Sequence, residues 1–323
     1  MSEQTHDSDL RWLEARVQVD GELAEAVSEY FSRLGTGGAV LEQIVPDRHE
    51  VEDISLYWVK VYMPVRSPED EESHRRRVSE GLWHLGQIRP LGEPEFTLLA
   101  DEDWAESWKE HYRPLAIGNR IVIKPSWCEW ETSEGQIVVE LDPGMAFGTG
   151  LHPSTQLCLI GLEDYVAAGQ RVLDLGAGSG ILSIAAVLLG AEQVLAVDID
   201  PLSVESSARN AAANGTADRI RVLPGSLPPR DDTDRPAVES AQAMAPAGFD
   251  LMLVNILAEV IVDLVERGLV DWLANSGIII TAGIIAERQE MVRQALTSAG
   301  LEVIDRRQRG DWVSLIARKP AAH

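Results

Sequence analysis

Cysteine is almost missing from this chain. Cys128 and Cys158 are the only two among 323 residues, with no CxxC pair and no cluster at metal-ligand spacing. A disulfide scaffold and a structural zinc site are thereby excluded, and no metal is expected. Long apolar runs are missing as well. No segment approaches the roughly 20 consecutive apolar residues that a membrane-spanning helix needs. The opening stretch from Met1 to Asp9 is polar and acidic, unlike a signal peptide. The expectation is a cytoplasmic protein with no membrane partner. Positive charge is scarce: 28 Lys plus Arg stand against 52 Asp plus Glu, a formal net charge of −24. Such a surface is repelled by a phosphate backbone and attracted by basic partners, although acidity also serves solubility alone. Arg75-Arg76-Arg77 is the one basic run, and it reads as a solvated helix face. Direct nucleic-acid binding is therefore not expected.

What is present is ordinary globular material, 45% apolar and 25% charged, in a chain long enough for about two domains. The first hundred residues read as β-α-β-β-α-β. Trp12 to Val19 alternates apolar and polar residues. Gly21 to Leu34 has helical spacing and ends at Gly35. Strands follow at Ala39 to Val45 and Leu56 to Val65, then a helix from Glu69 to Leu85 and a strand near Phe96 to Leu99. This order predicts a ferredoxin-like α+β domain, a binding module without catalytic clusters. Trp104 and Trp108, four apart on one helix face, read as packing anchors between domains. Strands at Arg120 to Lys124 and Gln136 to Leu141 come next.

From Arg171 the chain alternates strand and helix, the sign of a mostly parallel sheet covered on both faces. Strands are predicted at Val172 to Leu175, Gln193 to Val197, Phe249 to Val254 and Gly277 to Thr281. Helices are predicted over Ile181 to Leu189 and Pro201 to Asn214. Val303 to Asp305 and Trp312 to Ala317 fit a closing hairpin. Gly225 to Gly248, rich in Pro, Ala, Asp and Ser, reads as a mobile surface insertion.

Asp174-Leu-Gly176-Ala-Gly178-Ser-Gly180, with Asp198 closing the next strand, carries the chemistry. Glycines at a strand-to-helix turn admit a ligand close to the backbone. An acidic side chain after the next strand can accept both hydroxyls of a ribose. Those two features fit any adenosine cofactor, and spacing discriminates among them. A dinucleotide site wants a third glycine at position 181, where this chain has Ile181. Asp174 would repel a diphosphate but suits the ammonium of a methionine moiety. S-adenosylmethionine is the cofactor this pattern favours. A second glycine-rich run, Asp142 to Gly150, includes Phe147 as an apolar plate. Pro153-Ser154-Thr155 opens the next helix, whose hydroxyls and free N–H groups can hold a carboxylate. His152 reads as a structural hydrogen-bonder rather than a base. Asn255, closing an apolar strand, is placed to face cofactor and substrate and to aim an amine, or it caps the following helix. The candidate cofactor-binding set is Phe147, Thr155, Asp174, Gly176, Gly178, Gly180, Asp198 and Asn255, with Asn255 also the catalytic candidate.

At these residues the sequence resembles the ribosomal large-subunit protein eleven methyltransferases over nearly its whole length. The resemblance rests on Trp104-Ala-Glu-Ser-Trp-Lys109, on Leu141 to Thr155, on Asp174 to Ile181, on Val197-Asp-Ile-Asp-Pro201 and on Asn255-Ile-Leu-Ala258. It implies a ferredoxin-like substrate-recognition domain over residues 1–100, a linker over 101–125, and a class I methyltransferase domain over 126–323. The last is a Rossmann-like α/β fold with a mostly parallel seven-stranded sheet. It also implies that Thr155, Gly176, Asp198 and Asn255 contact S-adenosylmethionine, and that lysine and N-terminal amines of the ribosomal protein are methylated. Leu151 stands where the family usually has Thr, and the 225–248 insertion is longer than expected. The acidity fits a basic substrate: residues 1–100 hold 20 Asp plus Glu and 10 Lys plus Arg. A monomer is expected. The rival readings are a methyltransferase of another protein or a small amine, a cofactor-binding module without catalysis, and a dehydrogenase.

Overall fold

A computed structural model of the chain describes residues 10–35, 39–44, 56–87, 91–100, 114–142, 150 and 152–321. The chain divides into two compact units, Met1–Arg113 with Pro143–Met145, and Pro114–Asp142 with Ala146–His323. Trp104, Trp108, Phe147 and Leu151 lie outside the described residues.

The first unit runs β1 (Arg11–Asp20), α1 (Gly21–Leu34), β2 (Ala39–Ile44), β3 (Leu56–Val65), α2 (Pro68–Gly86) and β4 (Glu95–Ala100). The strands form an antiparallel sheet in the order β2-β3-β1-β4, the ferredoxin-like arrangement. Alternation along β1 puts Leu13, Ala15 and Val17 on the buried face, opposite Met63, Val61 and Val59 of β3. Two helices cover that face. α1 contributes Leu23, Ala24, Val27 and Phe31, and α2 contributes Val78 and Leu82. Each helix starts on a side-chain cap: Asp20 accepts from the Leu23 N–H at 3.0 Å, and Ser67 accepts from the Asp70 N–H at 3.1 Å. The opposite face mixes charged and aromatic side chains, with Trp12 and Tyr62 buried on it. There Arg16 lies 4.7 Å over the Trp58 ring and pairs with Glu95 at 2.6 Å.

The second unit opens with β5 (Leu115–Ile117), β6 (Ile121–Lys124) and β7 (Ile137–Glu140), a small sheet of its own. Residues 115–124, expected in a linker, thus belong to this unit, as two strands joined by a turn at 118–120. The chain continues through α3 (Pro153–Tyr165), β8 (Arg171–Leu175), α4 (Ile181–Leu189), β9 (Gln193–Asp198), α5 (Pro201–Ala213) and β10 (Ile220–Pro224). It ends with α6 (Arg235–Met244), β11 (Phe249–Asn255), α7 (Ala258–Glu266), β12 (Leu273–Ile285), α8 (Gln289–Ser298), β13 (Glu302–Arg309) and β14 (Trp312–Arg318). The seven strands stand in the order β10-β9-β8-β11-β12-β14-β13, with only β14 antiparallel to its neighbours. β8 is buried on both faces over Val172 to Leu175, with Asp174 as its one charged residue there: Val172 packs under α3 and α4, while Leu173 packs under the helices of the other face. The strand order reverses beside β8, which opens a crevice at the carboxyl ends of β8, β9 and β11.

The expected mobile insertion at 225–248 is ordered structure instead. It holds a short 3-10 turn at Asp232–Asp234 and then α6. Leu227, Ala237, Ala241 and Ala245 belong to the same core as Leu195, Val197 and Val254. Its apolar contact is made by alanines, which leave little hydrophobic periodicity to read. The side chain of Asp234 is fully buried and takes three bonds from Arg230, from its backbone N–H at 2.6 Å, Nε at 3.0 Å and Nη2 at 2.8 Å. Asp234→Ala would strand those donors and should lower stability by about 2 kcal/mol. Urea denaturation measures this, and a change under about 0.5 kcal/mol would make the clamp ornamental.

Candidate cofactor and active site

The glycine turn between β8 and α4 is built from both sides. Gly176, Gly178 and Gly180 take φ of +76°, +55° and +80°, the left-handed region that glycine tolerates. At Gly176 a Cβ would sit 2.5 Å from Ile256 Cγ2, so any side chain there collides with the end of β11. The N–H groups of Gly176 and Ala177 donate to the Val197 carbonyl at 2.8 and 3.2 Å. From α5, Ser207 Oγ donates to the Gly178 carbonyl at 2.9 Å and Asn210 Nδ2 to the Ser179 carbonyl at 2.8 Å. Sequence reasoning missed both residues; only their spacing along one helix face, 207 and 210, hinted at a shared task.

Asp198 ends β9 with its carboxylate turned to this turn. Oδ2 accepts the Gly178 N–H at 2.8 Å and Oδ1 the Asp200 N–H at 2.9 Å. Each oxygen retains a lone pair for a further donor. Burial raises its pKa, opposed by the N–H bonds from Asp200 and Gly178. Asp174, fully buried on β8, accepts from Ser183 Oγ at 2.6 Å through Oδ2, while Oδ1 has no partner among the described residues. Burial pushes this carboxyl up to about 7; the Ser183 hydroxyl works against that, and Asp198 adds to it. An unpaired buried oxygen on an acid of this kind calls for a cationic donor.

Asn255 ends β11, and its Nδ2 donates to Thr155 Oγ1 in α3 at 3.3 Å across a hundred residues of sequence. Its Oδ1 is buried and unpaired among the described residues. α7 begins three residues later with no side-chain cap, so Asn255 does not serve as the helix cap. His152 does cap α3: Nδ1 accepts the Ser154 N–H at 3.2 Å. Its ring meets Trp312 edge-on at 4.4 Å, and burial pulls its pKa down to about 3. That is a neutral structural imidazole.

The residues present fit S-adenosylmethionine. Two unpaired buried acceptors suit its ammonium and an incoming amine. The Asp198 lone pairs suit a ribose diol, and two carboxylates beside the turn disfavour a diphosphate. A seven-stranded sheet with its last strand reversed, a glycine turn after its first strand and an acid at the end of its second define an S-adenosylmethionine-dependent methyltransferase of class I.

Comparison narrows the class. The family model described as ribosomal protein L11 methyltransferase (PrmA) matches residues 11–320. A ribosomal protein L11 methyltransferase of Herpetosiphon aurantiacus is 43% identical, covering 96% of this chain and 100% of that one. Another from Chloroflexus aurantiacus is 42% identical over 96% of this chain and 98% of its own. A crystal structure of the ribosomal protein L11 methylase of Lactobacillus delbrueckii subsp. bulgaricus superposes with a TM-score of 0.54 at 33% identity, covering 64% of this chain and 100% of that chain. The chain belongs to the ribosomal protein L11 methyltransferase family. Among the described residues no helix is long and apolar enough to cross a membrane.

Proposed function

We propose that this protein transfers methyl groups from S-adenosylmethionine to lysine side-chain and N-terminal amines of ribosomal protein L11, in the cytoplasm, as a monomer without direct nucleic-acid contact. The observation that carries the amine reading is the buried, unpaired Oδ1 of Asn255 at the carboxyl end of β11. An amide oxygen there can accept an amine N–H and so aim the nitrogen lone pair. Thr155 holds the amide plane from the other side. In the proposed complex Asp174 Oδ1 takes the cofactor's ammonium, Asp198 the ribose hydroxyls, and Gly176, Gly178 and Gly180 leave room for close approach, with Phe147 as an apolar plate. When bound, S-adenosylmethionine supplies a methyl group on an already activated sulfonium, so alignment matters more than acid or base help.

The substrate must present a neutral nitrogen. An α-amine with pKa near 8 is partly neutral at pH 7, whereas a lysine near 10.4 needs about 4.6 kcal/mol to lose its proton. Apolar surroundings lower that cost by disfavouring the ammonium. Ile256 and the half-exposed Leu257, next to Asn255, provide such surroundings. In this reading residues 1–100 serve as the recognition domain, and the catalytic one, expected over 126–323, starts with β5 and β6. The net charge of −24 draws in a basic ribosomal protein and speeds encounter.

Intact-mass measurement of purified ribosomal protein L11, incubated with the enzyme and S-adenosylmethionine, tests the proposal. A ladder of methyl increments on lysines and the N-terminus is expected. An unchanged mass, from enzyme that still binds S-adenosylhomocysteine, would direct the search to another protein or a small amine.

A further inference from the structure

Ser183 has no role in the reading above, yet it is the residue that meets Asp174. It is 1% exposed and stands in the first turn of α4, three residues after Gly180. Its hydroxyl donates to Asp174 Oδ2 at 2.6 Å. That bond reaches Asp174 from a helix N-terminus, where the free N–H groups and the dipole favour negative charge. With Oδ2 so held, Oδ1 is the oxygen without a partner among the described residues. We infer that Ser183 is a positioning residue for cofactor binding: its hydroxyl keeps Asp174 ionised and fixes the rotamer that presents Oδ1 to the cofactor's ammonium. This rests on the cofactor assignment given above.

Without the hydroxyl, nothing of comparable strength offsets the burial of the charge. β9 and β11 flank β8, and they place Ala196 and Leu253 opposite Asp174. The other titratable groups acting with Asp174 are Asp198 of β9, which opposes its ionisation, and Cys158 of α3, which burial keeps as a neutral thiol. No cation among the described residues is paired with Asp174. A carboxylate in that setting depends on its hydrogen bonds to stay charged near neutral pH.

The sign follows. Asp174 accepts the ammonium only when ionised, so affinity is present above its midpoint and lost as pH falls through it. Ser183→Ala removes the hydroxyl but leaves the backbone unchanged, and should move that loss upward by about one pH unit, since a charge-assisted bond is lost. Calorimetric titration of the full chain with S-adenosylhomocysteine between pH 5.5 and 8.5 reads this directly. The ligand's own amine titrates identically for both proteins and divides out of their ratio. The expected ratio of dissociation constants is about tenfold at the acid end, shrinking below about twofold at the alkaline end. Ser183→Thr, which keeps the hydroxyl, should restore the wild-type acid limb, and Asp174→Asn should abolish the pH dependence. A Ser183→Ala defect equal at every pH would show a merely packing role and overturn the inference, as would wild-type affinity that does not vary on the acid side. Failure of the wild type to bind S-adenosylhomocysteine at any pH would instead overturn the cofactor assignment itself, and this inference with it.

Discussion

Asp198→Ala should abolish methylation and weaken S-adenosylhomocysteine by at least about a hundredfold. Two losses combine. The ribose hydroxyls lose their charged acceptor, and hydrogen bonds to an ionised group contribute about 1.5–3 kcal/mol each. The glycine turn also loses its anchor, because Asp198 is what holds the Gly178 N–H at 2.8 Å and the Asp200 N–H at 2.9 Å. Those donors would be left in a largely buried site. Asp198→Asn separates the two effects. Its amide can still accept one N–H but must turn its NH2 toward the other, so it should retain the fold and recover little affinity. Titration calorimetry with S-adenosylhomocysteine checks both variants, with thermal melting as the control for folding. Binding of Asp198→Ala within about tenfold of wild type would remove the ribose role and leave Asp198 as a brace for the turn.

The difference between what the chain disclosed and what it hid is physical. Asp174, the three glycines and Asp198 are legible because their geometry is local: a strand, a turn, a helix and the end of the next strand fix them in about 25 residues. Hydrophobic alternation likewise disclosed β1, since Leu13, Ala15 and Val17 face the core while Glu14, Arg16 and Gln18 face the other way. α6 was hidden because alanines make its core contacts. β10 was hidden because Arg221 interrupts a short run that the parallel pairing with β9 nevertheless recruits. β5 and α8 were not anticipated either, α7 was expected only as a helix of unstated length after Asn255, and β12 extends well beyond the strand expected at 277–281. Ser183 and Thr155 gain their partners only through packing. A serine inside an apolar helix says nothing until α4 is laid against β8, and Thr155 meets Asn255 only because α3 packs on the sheet.

Asn255→Ala tests the other end of the site and should lower kcat by about a hundredfold while leaving S-adenosylhomocysteine affinity within about threefold. The asymmetry is the point of the experiment. In the proposed complex Thr155, Asp174 and Asp198 remain to hold the cofactor, whereas the acceptor assigned to the amine is gone. A misplacement of about 1 Å at the reacting nitrogen is enough for a loss of this size. Asn255→Asp sharpens the reading: the carboxylate keeps an acceptor oxygen for the amine, and its bond to Thr155 reverses, with the Thr155 hydroxyl donating in place of the lost amide N–H. It should retain more turnover than alanine at saturating cofactor, with ribosomal protein L11 as substrate. If alanine instead reduces turnover and cofactor affinity by the same factor, Asn255 holds the cofactor alone. The amine must then be oriented by other atoms, and the backbone carbonyls that follow Asn255 in the chain become the groups to examine.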